Sequence, residues 1–170
     1  MKVFIIAAIT ANGYIAHEAE EISTDWTSKE DKKLFVELTK KAGVFVMGST
    51  TFKTIGRALP GRRNIVYSRS PVEVEGVETT TESPTELVAR LEREGHTELA
   101  VCGGASIYDM FLQAGVVDEL YLTIEPILFA GGIPLLKHGA DKKLALLDHK
   151  PLNDHTLLVH YEVKNDVSTN

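Results

Sequence analysis

One acidic residue stands on the apolar face of the first predicted helix. In the segment STDWTSKEDKKLFVELTKKAG, Asp31 lies three, four and seven residues before Leu34, Phe35 and Leu38, so the four side chains share one side of a helix. Burial of an ionised carboxylate is unfavourable, and a buried carboxyl group keeps its proton to a higher pH than usual. Asp31 is therefore a candidate acid for binding a ligand or delivering a proton.

Helix capping is the alternative role for this carboxyl group. Thr27 and Glu30 have the spacing of a capping box, and Ser28 and Asp31 come close to a second one. Because Glu30 can serve as the capping acid, we expect Asp31 to be free for another role. Thr123, in the apolar segment ELYLTIEPIL, has the hydroxyl group that could bond a buried acid from the neighbouring strand.

Two adjacent glycines, Gly103 and Gly104, separate an apolar run from a helical pattern in AVCGGASIYDMFLQAG. A tight turn between a strand and a helix explains most such pairs. The functional alternative is a cofactor phosphate at the helix N-terminus, where free N–H groups and the helix dipole favour an anion. The full dinucleotide fingerprint G-x-G-x-x-G is absent, so the pair alone does not decide between them.

Hydroxyl side chains follow a second apolar run, in GVFVMGSTTF. Gly48 comes directly after the run, and Ser49, Thr50 and Thr51 stand at the start of a short helix. Such hydroxyls are ordinary helix caps, but they also suit a phosphate group at a helix N-terminus.

An arginine between two serines ends a third apolar run, in LPGRRNIVYSRS. A protein that binds an unphosphorylated dinucleotide usually has an acid near such a place, which bonds the ribose 2′-hydroxyl. Ser68, Arg69 and Ser70 would instead suit a 2′-phosphate, and a solvated loop charge is the alternative for Arg69. Three anion-compatible junctions at one sheet edge favour an extended dinucleotide phosphate as the ligand.

The elements that position these residues alternate between strand-like and helix-like segments. Strands are predicted at Val3–Ile9, Val44–Met47, Asn64–Tyr67, Leu99–Cys102 and Glu119–Ile127. Helices are predicted at Ser28–Lys41, Pro84–Glu94 and Ala105–Gln113, and antiparallel strands at Lys143–Asp148 and His155–Val163. Since the internal strands are rich in Val, Ile, Leu and Phe and carry few charges, the sequence predicts an α/β fold with a mostly parallel central sheet, helices on both faces and a C-terminal antiparallel hairpin.

The composition fits one domain of ordinary hydrophobicity. The chain has 170 residues, 44% of them hydrophobic, and we assign residues 1–163 to one domain and residues 164–170 to a flexible tail. A net charge of −6 and the lack of Lys/Arg runs argue against a nucleic-acid partner. No apolar run approaches the ~20 residues of a membrane helix, so we expect no membrane partner either.

The cysteine content indicates the compartment. The single cysteine, Cys102, cannot form an internal disulfide, which fits a reducing environment. Its place in an apolar strand predicts a buried structural thiol rather than a nucleophile. We therefore expect a cytoplasmic protein, either a monomer or a homodimer, without a bound metal ion.

The residues described so far resemble the dihydrofolate reductase family. The resemblance rests on MGSTTFKTIGRALPGRRNIVYSRS and on CGGASIYDMFL with the following LYLTIE, and it extends from Val3 to about Val163. Trp26, five residues before Asp31, and Phe35, four residues after it, repeat the family's spacing around its acid. The resemblance implies the family's fold, NADPH as cofactor and dihydrofolate as the small-molecule substrate.

The resemblance also implies roles for individual residues. Asp31 would bond the pterin ring with Thr123 behind it, Arg62 would hold the α-carboxylate of the folate tail, and the bond between Gly103 and Gly104 would be cis. The implied catalytic residues are Asp31, Thr123 and Trp26. The implied substrate contacts are Ile5, Ala7, Ala8, Asp31, Phe35, Ile55, Arg62 and Thr123. The implied cofactor contacts are Ala8, Ile15, Gly48, Ser49, Thr50, Thr51, Ser68, Arg69, Cys102, Gly103, Gly104, Ala105, Ser106, Ile107 and Tyr108.

Several positions depart from the family pattern. Ser49 and Ser106 stand where many relatives carry a basic residue, which leaves Arg69 to supply most of the charge for a 2′-phosphate. Lys32 replaces an apolar pocket residue, and Asp25 replaces a proline in the acidic lid segment AHEAEEISTDW.

Two other functions are compatible with the sequence. The segment DELYLTIEPILFAGGIPLL is also similar to riboflavin-pathway reductases, which act on a ribosylaminopyrimidine phosphate. The spacing of Asp31 and Phe35, together with Arg62, favours folate, because the riboflavin substrate has no pteroylglutamate tail. A non-catalytic nucleotide-binding module is the second alternative, but it needs no buried acid. We therefore expect reduction of 7,8-dihydrofolate to 5,6,7,8-tetrahydrofolate by hydride transfer from NADPH.

Overall fold

Strands and helices alternate along most of the chain. A computed structural model describes residues 1–139 and 141–165. The strands are β1 (Lys2–Thr10), β2 (Tyr14–Ala16), β3 (Val44–Gly48), β4 (Arg63–Tyr67), β5 (Val77–Thr80), β6 (Glu98–Val101), β7 (Glu119–Glu125), β8 (Ile133–Pro134), β9 (Lys143–Pro151) and β10 (Leu157–Lys164). The helices are α1 (Lys29–Ala42), α2 (Ser49–Ile55), α3 (Pro84–Arg93) and α4 (Ala105–Gln113), with a 3₁₀ turn at Ser23–Asp25. Within the described residues, none of the helices is long and apolar enough to cross a membrane.

The centre of the fold is a sheet of eight strands in the order β5-β4-β3-β6-β1-β7-β10-β9. Neighbouring strands from β5 to β7 are parallel, whereas β10 is antiparallel to both β7 and β9. A separate small sheet pairs β2 with β8. The prediction of a mostly parallel sheet with a C-terminal antiparallel hairpin is confirmed.

Apolar side chains cover both faces of the large sheet. One cluster includes Leu87 and Leu91 of α3 and Phe111 of α4. The other includes Phe52 of α2, with Leu34 of α1 packed against it. Helices therefore lie on both faces, as predicted, which is why the central strands carry apolar residues at consecutive positions.

The strands at the end of the sheet differ from their predicted bounds. β7 ends at Glu125 rather than at Ile127, because Pro126 has no N–H group to donate to the sheet. β9 continues to Pro151 rather than ending at Asp148.

The second hairpin strand is also shifted. β10 begins at Leu157 rather than at His155, because the side chain of Asn153 accepts the N–H groups of His155 and Thr156, both at 2.8 Å, and forms a turn there. β10 includes Lys164, the first residue of the predicted tail. Residues 166–170 of that tail lie outside the described residues.

Two junctions between strand and helix determine where a ligand can bind. Gly48 ends β3 and is the N-cap of α2, and the pair Gly103 and Gly104 links β6 to α4. Because β3 and β6 are parallel neighbours, both helices begin at the same edge of the sheet. This edge is the usual ligand-binding position in open α/β sheets.

Candidate active site

A cavity of about 870 Å³ lies at the carboxyl ends of the central parallel strands. Its wall includes residues 6–8 of β1, Gly48 of β3 and the first turns of α2 and α4. Residues 21–24, between β2 and α1, form another part of the wall. The cavity is large enough for a ligand of cofactor or drug size.

Asp31 lies in the wall of this cavity and is only 9% exposed. Burial raises the pKa of its carboxyl group from the ordinary 3.8 to about 6, and the nearby Glu125 acts in the same direction. The Thr123 hydroxyl and the charge of Lys32 act in the opposite direction. The carboxyl group is thus half protonated near pH 6, far above the pH at which an exposed aspartate ionises.

Thr123 is fully buried beside Ala8, its partner in the register of β7 with β1. Its hydroxyl is close enough to Asp31 to favour the ionised carboxyl group. It nevertheless lacks a hydrogen bond of good geometry to any described residue. Thr123 is therefore a buried polar group without a full partner among the described residues, next to the Asp31 carboxyl group of the cavity wall.

The N-terminus of α1 is capped in a different way from the prediction. Ser28, not Thr27, is the N-cap residue, and its hydroxyl accepts the N–H group of Asp31 at 3.1 Å. The N–H group of Ser28 donates to Oε1 of Glu125 at 2.8 Å. Glu30, the expected capping acid, accepts a hydrogen bond from an amide side chain between β9 and β10 instead. The expected Thr27–Glu30 capping box was wrong, because an acid distant in sequence bonds the helix end.

Arg62 lines the same cavity with a partly satisfied guanidinium group. Its Nη1 donates to the Thr39 hydroxyl and, at 3.3 Å, to the Val36 carbonyl oxygen. Its central carbon lies 6.0 Å and 5.9 Å from the ring centres of Phe35 and Phe45. Nε is buried without a partner, and burial lowers the pKa of the guanidinium group. A ligand carboxylate beside this guanidinium group would balance its desolvated charge.

The peptide bond between Gly103 and Gly104 is cis, as the family resemblance implies. Gly103 has a φ of +98°, and a Cβ atom there would lie 3.0 Å from the Tyr108 hydroxyl oxygen. That hydroxyl donates to the carbonyl oxygen of Ile6 at 2.9 Å, and the Gly103 carbonyl oxygen accepts the N–H group of Gly48 at 2.8 Å. Glycine is therefore required at position 103 by its backbone conformation and by its contact with Tyr108.

The first turn of α4 meets the cavity without a side-chain cap. Gly104 is its N-cap residue, and Ala105, Ser106 and Ile107 line the wall. Free N–H groups at a helix start, together with the helix dipole, favour an anionic group. The hydroxyl-bearing first turn of α2 lines the same region. These groups fit the phosphates of a dinucleotide.

Most residues implied by the family resemblance line the cavity. They are Ala7, Ala8, Ile15, Asp31, Phe35, Gly48, Ser49, Thr50, Thr51, Ile55, Arg62, Cys102, Gly103, Gly104, Ala105, Ser106, Ile107 and Tyr108. The substrate and cofactor sets therefore meet in one continuous space.

Some implied residues lie outside the cavity wall, namely Ile5, Trp26, Ser68, Arg69 and Thr123. Ile5 belongs to the core, because Ala7, on the same face of β1, is nearer the end of the strand. Trp26 lines a neighbouring smaller cleft, and its ring packs edge-on against Phe129. Ser68 and Arg69 follow the end of β4, where Tyr67 is the last residue to reach the wall, and Arg69 is exposed.

Sequence reasoning missed two basic residues of the wall, Arg57 and Lys137. The carboxylate of Asp109, buried in α4, accepts the N–H groups of Lys137 and His138 at 3.0 Å and 3.1 Å and fixes their loop against that helix. A buried acid in the apolar segment SIYDMFL was the available signal, but its partner is distant in sequence. Lys32, which sequence analysis did single out, donates from Nζ to a carbonyl oxygen of the 3₁₀ turn at 2.8 Å.

The chain matches known dihydrofolate reductases in sequence. The family model described as dihydrofolate reductase matches residues 2–131. Dihydrofolate reductase type 3 of Salmonella typhimurium is 36% identical to this chain over 124 residues, which cover 72% of this chain and 71% of that protein.

Solved structures share the fold. A putative riboflavin biosynthesis protein from Shewanella sp. PV-4 superposes with a TM-score of 0.83 at 23% identity, over 96% of this chain and 99% of that one. Dihydrofolate reductase from Enterococcus faecalis, complexed with NADP(H), superposes with a TM-score of 0.72 at 23% identity, over 95% of this chain and 96% of that one. Since the family model matches most of the chain and the Salmonella relative supports it, the chain belongs to the dihydrofolate reductase family.

Proposed function

We propose that the protein catalyses the reduction of 7,8-dihydrofolate to 5,6,7,8-tetrahydrofolate by NADPH. The observation that carries this proposal is the Asp31 carboxyl group, buried in the cavity wall with a pKa of about 6. A carboxyl group with such a pKa can hold a proton beside a ligand under nearly neutral conditions. The relatives named as dihydrofolate reductases support the same substrate.

NADPH fits the half of the cavity formed by α2, α4 and the glycine pair. The N–H groups at the start of α4 suit its phosphates, and Gly103 and Gly104 allow close approach to the backbone. The Enterococcus relative complexed with NADP(H) supports this assignment. Bound NADPH would supply the hydride that C6 of dihydrofolate accepts. The chain's own part is to align the two ligands and to keep water away.

Asp31 has the main chemical role among the residues of this chain. Its carboxyl group would bond the pterin ring and favour protonation of N5, directly or through an ordered water. The Thr123 hydroxyl, next to this carboxyl group, would help to hold its orientation. A proton donor placed in this way typically contributes about 10²–10⁴-fold to the rate.

Arg62 would bind the far end of the substrate. Its buried, unpaired Nε and its contacts with Thr39 and Val36 hold a positive charge at the cavity wall. The α-carboxylate of the folate tail is an anion of suitable geometry for that charge.

A second candidate substrate is a phosphorylated ribosylaminopyrimidine. The observation in its favour is that Lys32 and Lys137 add positive charge to the cavity wall, beyond what Arg62 and Arg57 supply. A phosphate group would use such charges, whereas the uncharged pterin ring would not.

The first prediction concerns turnover. Purified protein should consume NADPH faster when dihydrofolate is added, because the proposed substrate and cofactor contacts line one cavity. NADPH absorbance should be followed with dihydrofolate, with a phosphorylated ribosylaminopyrimidine and with neither. NADPH consumption that dihydrofolate does not accelerate would refute the proposed substrate, and acceleration by the pyrimidine alone would identify the alternative.

The second prediction concerns Asp31 in catalysis. Asp31→Asn should fold and lose at least ~10²-fold in kcat at pH 7, since proton delivery would then depend on solvent. Its relative rate should improve toward acid pH. Glu30→Gln is the matched control, because this neighbouring acid lies outside the cavity wall. An Asp31→Asn rate within about twofold of the wild-type rate would show that the carboxyl group is not the proton donor.

The third prediction concerns the stability of the same variant. The folded protein binds the Asp31 proton more tightly than the unfolded chain, so wild-type stability falls as pH rises from about 4 to about 6. Asp31→Asn should therefore be more stable than wild type at pH 7, by up to about 3 kcal/mol, and the difference should disappear below pH 4. Urea unfolding of both proteins at several pH values measures this difference in the free energy of unfolding. Equal stability of wild type and Asp31→Asn at all pH values would show that burial of the ionised carboxyl group does not destabilise the folded protein.

The fourth prediction concerns Arg62. Arg62→Leu should raise the KM for dihydrofolate about 10- to 150-fold, the loss expected for a hydrogen bond between charged groups, and leave the KM for NADPH unchanged. Dihydrobiopterin, which has the pterin ring but no aminobenzoyl-glutamate tail and no carboxylate, is the matched probe, and its KM should not respond to the substitution. If the KM for dihydrofolate stays constant, the tail is held elsewhere.

A further inference from the structure

Glu125 is a buried acid that the proposed reaction does not use. It is the last residue of β7 and only 2% exposed. Its Oε1 accepts the N–H group of Ser28 at 2.8 Å, and its Oε2 accepts the Thr156 hydroxyl at 3.2 Å. Two residues apart on a strand, Glu125 and Thr123 lie on the same face of β7, the face that meets the start of α1.

The start of α3 shows what an ordinary capping box looks like in this protein. Ser83 is its N-cap residue, and the Ser83 hydroxyl accepts the N–H group of Glu86 at 3.3 Å. Glu86, at the third helical position, returns a hydrogen bond by accepting the N–H group of Ser83 at 2.9 Å. Both bonds therefore stay within one short segment.

The start of α1 has the first of these bonds but not the second. The Ser28 hydroxyl accepts the N–H group of Asp31, which is the third helical residue, as Glu86 is in α3. The N–H group of Ser28, however, is already bonded to Glu125. The carboxyl group of Asp31 is consequently not needed at the N-cap.

We propose that Glu125 is a positioning residue for Asp31: it replaces the Asp31 carboxyl group at the N-cap, and it places a second acid beside that group. The Asp31 side chain is thereby left in the cavity wall, and the like charge of Glu125 disfavours its ionisation. This inference rests on the proposed function only in so far as Asp31 serves the reaction.

Besides Glu125, two titratable groups among the described residues interact with the Asp31 carboxyl group. Lys32 of α1 opposes the effect of Glu125 on Asp31, and Tyr108 of α4 is close enough for Asp31 to raise the pKa of its phenol. Asp154 and His155 line the small cleft that Glu125 also lines. Glu125 is the one acid whose charge is identified as raising the pKa of Asp31 among the described residues.

The test is a pH titration of the Asp31 carboxyl carbon by NMR in ligand-free protein, with the resonance assigned by its loss in Asp31→Asn. Glu125→Gln removes the charge but keeps an oxygen that accepts the Ser28 N–H group. It should lower the Asp31 midpoint by about 0.5 pH unit or more, because a nearby like charge disfavours ionisation of a carboxyl group. Glu30→Gln, which removes an acid from the same helix turn, should leave the midpoint unchanged. An unchanged midpoint in Glu125→Gln would overturn the electrostatic part of the proposal.

Glu125→Ala tests the capping part. It leaves the Ser28 N–H group without its acceptor, so the Asp31 carboxylate can turn back to accept it, and that bond favours the ionised form. The Asp31 midpoint should therefore be lower in Glu125→Ala than in Glu125→Gln. Equal midpoints in the two variants would overturn the capping part.

Wild-type protein supplies a measurement that needs no variant. The N–H group of Ser28 donates to Glu125, so its hydrogen should exchange with solvent slowly in folded protein. Exchange of the Ser28 N–H hydrogen at the rate of an unprotected amide would overturn the capping part even where a variant fails to fold. Because no substrate is present, these results do not depend on dihydrofolate turnover. In an active enzyme, the pH midpoint of kcat should move in Glu125→Gln with the Asp31 midpoint.

Discussion

The side chain of Asp31 is largely buried in the wall of the cavity, which raises the pKa of its carboxyl group, and the neighbouring elements hold it in this unfavourable place. The Asp31 carboxyl group would leave this buried position if α1 began at another residue. It would also leave it if the carboxylate accepted the N–H group of the N-cap residue Ser28. The fold prevents both. Ser28 fixes the start of the helix, Glu125 takes the N–H group that would attract the carboxylate, and the pairing of β1 with β7 places Thr123 alongside. These contacts hold the Asp31 carboxyl group in its buried position, where its pKa is about 6.

The two proposed halves of the cavity would recognise their ligands in different ways. The proposed substrate half would depend on particular side chains, Asp31 and Arg62. The proposed cofactor half would depend largely on the backbone at Gly48, Gly103 and the start of α4. Backbone N–H groups are present whatever the side chain, so Ser49 and Ser106 can replace basic residues without loss of these donors. Lys137, fixed through Asp109, adds positive charge from a different loop.

Local patterns in the sequence were sufficient for seven of the eight strands of the large sheet and for the burial of Asp31, whereas the short edge strand β5 was not predicted. Runs of apolar residues indicate strands covered on both faces, and the spacing of Asp31 from Leu34 and Phe35 places it on the buried side of α1. The contact between Ser28 and Glu125 spans 97 residues, and no local pattern encodes it. For the same reason the capping acid was assigned to Glu30. Arg69 lies beyond the end of β4 and outside the cavity wall, so its role as a contact for a 2′-phosphate stays a prediction.

Isotope transfer measures whether dihydrofolate receives a hydride at C6 in this cavity, as we propose. The protein should be mixed in excess with dihydrofolate and NADPH that carries deuterium at both C4 positions of the nicotinamide ring. We expect tetrahydrofolate with a single deuterium, located at C6, and NADP⁺ that retains the other. Tetrahydrofolate without deuterium, or deuterium found only in a pyrimidine product when both substrates compete, would refute the proposed hydride transfer.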